Sequence, residues 1–286
     1  MTLRALRTAP LLLLLMASCG KDGGTPSFIR IGAPKAQKAD GSELVPSAVT
    51  DFWVYANDQA IGVWQADRRI PVLADGTTNI KLVAGVRKNG ITIDRIQYPF
   101  YATWSQDVEL TLGQETKVEP VFTYYAAPVW SEGFDGAGHS FDITGSDTTF
   151  HIFEGTSDSA DILVGPKAAG ILLDTEHDYF RAATTAAPAF PLGTSPTFLE
   201  IDYRSDTRFL VGVKYDVGTT PVTLPYLFVN ATGSVGGTLP WGHIYIDLAT
   251  PWGGGGTTNR QFYIEAQLEN GATSGRITLD NLNVHH

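Results

Sequence analysis

The chain has 286 residues, 43% hydrophobic and 11% aromatic, with 30 glycines, 16 prolines and one cysteine. That supplies one large core or two ordinary ones, and the glycine and proline content favours turn-rich β structure over long helices. The formal net charge of −10 repels phosphate backbones and argues against nucleic acid as a partner, while a single cysteine leaves no intrachain disulfide.

The chain opens with Arg4 and Arg7, a short apolar run over residues 11–16, and the small pair Ala17-Ser18, the layout of a secretory signal over residues 1–18. The apolar run is well below the ~18 residues a spanning helix needs. Directly after it stands the only cysteine, Cys19. Met16-Ala17-Ser18-Cys19 resembles the lipobox of bacterial lipoproteins, which implies that Cys19 is lipidated and ties the protein to a membrane. Residues 19–27 are polar and glycine-rich, a flexible tether. Lys21-Asp22 within it is similar to the export signal of Bacteroidetes surface lipoproteins. This implies an outer-membrane address and leaves the periplasmic and cell-surface faces open.

Residues 28–125 break into short alternating runs. Over 49–56, Phe52, Val54 and Ala56 alternate with Trp53 and Tyr55, and Asn57-Asp58-Gln59 then turns the chain into a hairpin partner at 60–64. Further strands are expected at 70–73, 78–84, 91–98, 108–112 and 116–124, with Asp75-Gly76, Lys88-Asn89-Gly90 and Leu112-Gly113-Gln114 as breakers. The spacing predicts an antiparallel sandwich. The run from Trp53 to Val63 resembles the opening hairpin of immunoglobulin-like surface modules of the PEGA and carboxypeptidase-regulatory type, which implies a spacer or interaction domain.

Ala126-Ala127-Pro128 marks a linker at 126–129, where the charge changes abruptly. Residues 28–125 carry 10 basic and 11 acidic side chains, and residues 130–286 carry 7 and 18. Residues 130–286 read as about eleven strands with no helical period, a larger jelly roll. The fold class is therefore all-β: two β-sandwich domains, an immunoglobulin-like module followed by a jelly roll. The ends of the second domain, Trp130-Ser131-Glu132-Gly133-Phe134-Asp135-Gly136 and 275–284 with Leu279-Asp280-Asn281-Leu282-Asn283-Val284, resemble the first and last strands of galactose-binding-like jelly rolls, including carbohydrate-binding modules. That resemblance implies a possible structural Ca²⁺ held by Glu132 or Asp135 with Asp280; the alternative is that these carboxylates cap turns and strand ends.

Sugar binding needs exposed aromatic faces and a few polar groups. Trp241 and Trp252 stand in Pro-Trp-Gly loop contexts, and Tyr245, Tyr226, Asn230, Asn259 and Asp247 are the nearby candidates. Gly253 to Gly256 lacks the Lys-Ser/Thr pair of a phosphate cradle. Asp174-Thr175-Glu176-His177-Asp178 reads as a solvated bend. Asp147-Thr148-Thr149 and Asp158-Ser159-Ala160 are similar to Bacteroidetes O-glycosylation sites. The histidines are scattered, and none stands beside a nucleophile in a known catalytic motif. An enzyme would need a carboxylate pair across a cleft, with Glu200 and Asp202 or Glu265 and Glu269 as the closest sequence pairs; acidic residues two apart otherwise mark an exposed sheet face.

The expectation is a non-catalytic, lipid-anchored envelope protein with no certain cofactor, whose jelly roll binds a glycan or a partner protein. The alternative is a structural or accessory subunit of an outer-membrane complex with no small ligand.

Overall fold

The computed structural model describes residues 24–185, 190, 195–253 and 255–286. The signal, Cys19, Lys21-Asp22 and Gly254 of the glycine run lie outside the described residues. Among the described residues no helix is long and apolar enough to cross a membrane.

The fold is all-β, in two sandwiches. In the first, β1 (Ser27–Ile31), β2 (Lys35–Gln37), β3 (Leu44–Val45), β4 (Asp51–Ala56), β5 (Gln59–Gln65), β6 (Arg69–Val72), β7 (Gly76–Arg87), β8 (Arg95–Gln97), β9 (Trp104–Leu110), β10 (Glu115–Val118) and β11 (Val121–Thr123) form three sheets. Their orders are β10-β1-β6, β11-β2-β3 and β5-β4-β7-β8, with β9 also on β7. Ile29, Phe52, Ile70, Leu82, Val108 and Phe122 bring all three sheets into one core.

The alternation around Phe52 and Val54 produces β4, and the hairpin to β5 turns on Asn57 and Asp58, both at positive φ. Such a left-handed pair matches strand twist, and Asn and Asp tolerate it. The expected antiparallel pattern fails at two places, where β1 pairs with β10 and β2 with β11 in parallel. These partners are joined through the whole domain, so no hairpin dictates their direction. The single strand expected over 116–124 is also two. Pro120 cannot donate to a ladder, so the chain leaves β10 and enters a different sheet as β11. Gly32-Ala33-Pro34 makes the matching step from β1 to β2, and Gly32 donates to the Val118 carbonyl at 2.8 Å.

In the second sandwich, β12 (Trp130–Glu132), β13 (Phe141–Ile143), β14 (His151–Glu154), β15 (Lys167–Asp174), β16 (Tyr179–Thr184), β17 (Phe198–Ser205), β18 (Phe209–Val217), β19 (Thr220–Val229), β20 (Gly242–Asp247), β21 (Thr257–Gln267) and β22 (Ser274–His285) form two sheets. One is ordered β14-β15-β22-β17-β20 with β12 on β22, and the other β13-β16-β21-β18-β19. Period-two alternation fills the space between them: Leu199 and Ile201 from β17 and Leu279 from β22 meet Val211 and Val213 from β18 and Phe262 and Ile264 from β21.

Trp252 also lies in this core. It ends a single helical turn, α1 (Ala249–Trp252), and is 0% exposed. Its ring stacks on Phe190 at 5.3 Å, and its Nε1 donates to the Gln261 carbonyl at 3.0 Å. The Pro-Trp-Gly context that suggested an exposed loop instead lets the turn fold its tryptophan inward. Trp252→Ala leaves a large cavity and is expected to lower stability by about 3–5 kcal/mol in urea denaturation; a loss under ~1 kcal/mol would contradict this placement.

Candidate functional site

Each jelly-roll sheet has one face in the core and one facing out. On the five-stranded sheet, register puts Phe228, Leu210, Glu265 and Arg181 in one outward row across β19, β18, β21 and β16. Phe228 is 59% exposed, with the Arg208 guanidinium 5.2 Å from its ring centre. Tyr179 donates to Glu265 Oε2 at 2.9 Å, Arg181 Nε lies 3.6 Å from the same oxygen, and Arg208 pairs with Glu269 at 3.5 Å. Between them runs a groove of about 620 Å³ lined by Leu210, Phe228, Glu265, Gln267, Glu269 and Asn270, among others.

In the next row, Tyr263 faces Gly212 on one side and Ala183 on the other. A Cβ at Gly212 would stand 2.1 Å from a Tyr263 ring carbon, so only glycine lets this ring lie over β18. The Arg181 guanidinium covers the ring at 4.3 Å. The face thus combines an exposed ring, a second ring that the Arg181 guanidinium covers so that Tyr263 is only 2% exposed, and carboxylate, guanidinium and amide groups. Those are the parts that hold the apolar face and hydroxyls of a sugar ring.

The sequence candidates fall elsewhere. Tyr245 is buried between the sandwiches, accepting from the Ala48 amide at 3.1 Å and lying 3.2 Å from the Tyr101 hydroxyl. The Tyr226 hydroxyl accepts from Asn89 at 2.9 Å. Asp247 caps α1 through the amides of Ala249 and Thr250, and Asn259 donates to Asp216 at 2.6 Å. Trp252 is core. Asn230, just after β19, and Asn259 are exposed, and Trp241, Tyr226 and Asp247 are half-buried; these keep side chains a ligand can reach.

The outward face of the other sheet is covered at its β17 and β20 end, while Leu172 and Asp174 on β15 stay exposed. Phe198, Glu200 and Asp202 on β17 and His243 and Tyr245 on β20 point away from the jelly-roll core and into the first sandwich. The exposed acidic face expected for Glu200 and Asp202 is therefore buried, each side chain about 1% exposed. The Glu200 carboxylate accepts from Tyr98, from Tyr124 at 2.7 Å, and sits 3.3 Å from His243 Nε2 and 3.7 Å from His285 Nε2. His243 Nδ1 lies 2.8 Å from Asp202, which also accepts from Asn281 at 2.7 Å. The histidines that look unpartnered in sequence converge here because β17 pairs with both β20 and β22. A cleft of about 280 Å³ between the sandwiches reaches Glu200 and His285, with Lys38 and Tyr124 on its first-sandwich wall.

Asn89, read in sequence as a breaker, clamps the same interface. At positive φ, its amide donates to the Tyr245 carbonyl at 2.8 Å, its side-chain oxygen accepts from Asp247 N at 2.9 Å, and its side-chain nitrogen donates to Tyr226.

Each Ca²⁺ candidate is engaged by backbone amides, and Asp135 and Asp280 line one cleft. Glu132 accepts from the amides of Phe134 and Ser140, Asp135 from Lys167, and Asp280 from Leu163 and Val164. Among the described residues no three His, Cys, Asp or Glu side chains group as metal ligands do. Burial pushes the Asp280 carboxyl up to about 6, against the pull of those two amides.

No family model matches the chain, and no curated protein does. Among solved structures, the chain is similar to CBM28, a carbohydrate-binding module specific for non-crystalline cellulose, at 15% identity over 56% of this chain and 94% of that one, with a TM-score of 0.39. TmCBM61, solved with β-1,4-galactotriose, gives 14% identity over 51% and 88%, TM-score 0.34. The K3 adhesin domain of Lys-gingipain from Porphyromonas gingivalis gives 13% over 56% and 100%, TM-score 0.35.

Burial opposes a charge on His243, but Asp202 and Glu200 raise its pKa to about 10. A group raised in the folded state contributes stability that is complete below its ordinary value near 6.5 and is lost as pH rises through the folded value. Thermal stability is therefore expected to fall between about pH 6.5 and 10, and His243→Asn, less stable at pH 6, to flatten that limb. An unchanged slope in the variant would contradict the ion cluster.

Proposed function

We propose that this is a lipid-anchored, non-catalytic cell-envelope protein whose jelly roll holds a glycan on the outer face of its five-stranded sheet. The observation that carries the reading is the row Phe228, Leu210, Glu265 and Arg181 beside the Tyr263 ring laid over Gly212. An exposed aromatic ring flanked by charged and amide groups along a groove fits a chain of sugar rings, which offers alternating apolar faces and hydroxyls. Glu265 and Glu269 serve here as hydrogen-bonding groups: the first is engaged by Tyr179 and Arg181, the second by Arg208. The Met16-Ala17-Ser18-Cys19 motif supports the anchor, with the first sandwich as spacer between bilayer and binding face.

A glycan array with the full chain tests the ligand. Binding is expected, and Phe228→Ala is expected to weaken it about tenfold, or ~1.4 kcal/mol, while Trp241→Ala leaves it unchanged. Silence across the array favours an accessory subunit that docks on other proteins, and loss on Trp241→Ala alone moves the site to the β20 end. For the anchor, Cys19→Ala is expected to release the protein from the membrane fraction; retention there would reject lipidation.

A further inference from the structure

We propose that the two sandwiches form an acid-releasable pair, in which neutral His285 holds the interface shut and its protonation lets the molecule open at the linker around Pro128. The geometry is specific. His285 ends β22 of the jelly roll but packs into the first sandwich, stacked on Tyr124 at 4.6 Å and 4° and tilted against Phe100 at 5.5 Å. It is 5% exposed. The linker offers a hinge: Tyr125 and Val129 are exposed on either side of Ala126-Ala127-Pro128, and only isolated contacts such as the bridge from Lys88 to Tyr245 extend a ladder between the bodies.

The charged groups around the ring decide the sign. From β17 come Glu200 and Asp202, and from β20 His243, held positive between them. From the jelly roll come Asp280 on β22 and Asp135 after β12, and across the cleft stands Lys38, paired with Glu43. Glu200 favours a second cation, but it is already matched by His243 and by the hydroxyls of Tyr98 and Tyr124. Burial and the His243 charge hold His285 below its ordinary range. An opened form restores an ordinary imidazole, so it takes up a proton near pH 6.5 that the closed form refuses, and acid favours opening. Asp280 runs the other way, since its raised carboxyl takes up a proton in the folded state as pH falls through about 6. Opening uncovers Phe198, Glu200 and Tyr245 on one side and Tyr98, Phe100 and Tyr101 on the other, a pair of aromatic surfaces buried in the closed form.

The test uses the chain with Cys19→Ala and spin labels at Thr77→Cys and Thr223→Cys, exposed positions one in each sandwich. At pH 8 pulsed electron resonance is expected to give one narrow distance, and between pH 6.5 and 5 a second, broad population that disappears on return to pH 8. His285→Phe keeps the stacked ring without the titration and is expected to stay closed to pH 5, whereas His151→Phe, altering an exposed histidine, is expected to behave as the parent. A single distance at every pH, or opening that is identical in His285→Phe, overturns the proposal. If His285→Phe fails to fold, Asn89→Ala, which loosens the clamp without touching the ring, is expected to move opening to higher pH; an unmoved midpoint then overturns it.

Discussion

The contact that organises this molecule is the seating of the first sandwich on the six-stranded sheet of the jelly roll, around the buried Glu200 carboxylate. Period-two alternation gives each jelly-roll sheet a second face that the core cannot use. On β17 that face carries Phe198, Glu200 and Asp202, and leaving a carboxylate there without partners would cost several kcal/mol. Two tyrosine hydroxyls from the first sandwich and an imidazolium from β20 satisfy it instead. Because the β17 and β20 end of that sheet is covered, the outer face of the five-stranded sheet is left as a broad jelly-roll surface facing solvent.

The two faces also differ in how their polar groups are held. Around Glu200 every group is packed against aromatic rings, with Tyr98, Tyr101, Tyr124 and Tyr245 within one contact network. Burial holds the pKa of each of these tyrosines well above its ordinary value, so they remain neutral donors. On the open face the charged groups pair loosely, at 3.5 to 3.6 Å, and sit partly in solvent, where such pairs contribute little to stability. Groups that contribute little to the fold are free to exchange partners with a ligand. The buried cluster serves cohesion, and the open row is the face for which recognition is proposed.

Much of the architecture was legible in the residues. The alternation through Phe52 and Val54, the Asn-Asp turn and the closing strand before His285 each announce their structure locally. The first three strands were not legible, because residues 27–45 hold two to five residues apiece between glycine and proline steps. Nor was the division at Pro120, which reads as one strand until its two halves are seen in different sheets. The site was harder still. Glu200, His243 and His285 meet only through the pairing of β17 with β20 and β22, and spacings of 42 to 85 residues carry no local signal. Trp252 misled for the opposite reason: a local Pro-Trp-Gly cue suggested a loop, and tertiary packing turned the ring inward. The open row was present as alternation in Leu210, Gly212 and Lys214 and in Tyr263 and Glu265, but nothing short of register shows that Phe228 joins it.

The most direct test of a glycan face on the five-stranded sheet is amide hydrogen exchange of the full chain with and without an oligosaccharide that binds it on the array. The account predicts added protection confined to β16, β18, β19 and β21 around Phe228, Leu210 and Tyr263. Protection appearing instead at the cleft beside Glu200, or in the segment around Trp241, would contradict it.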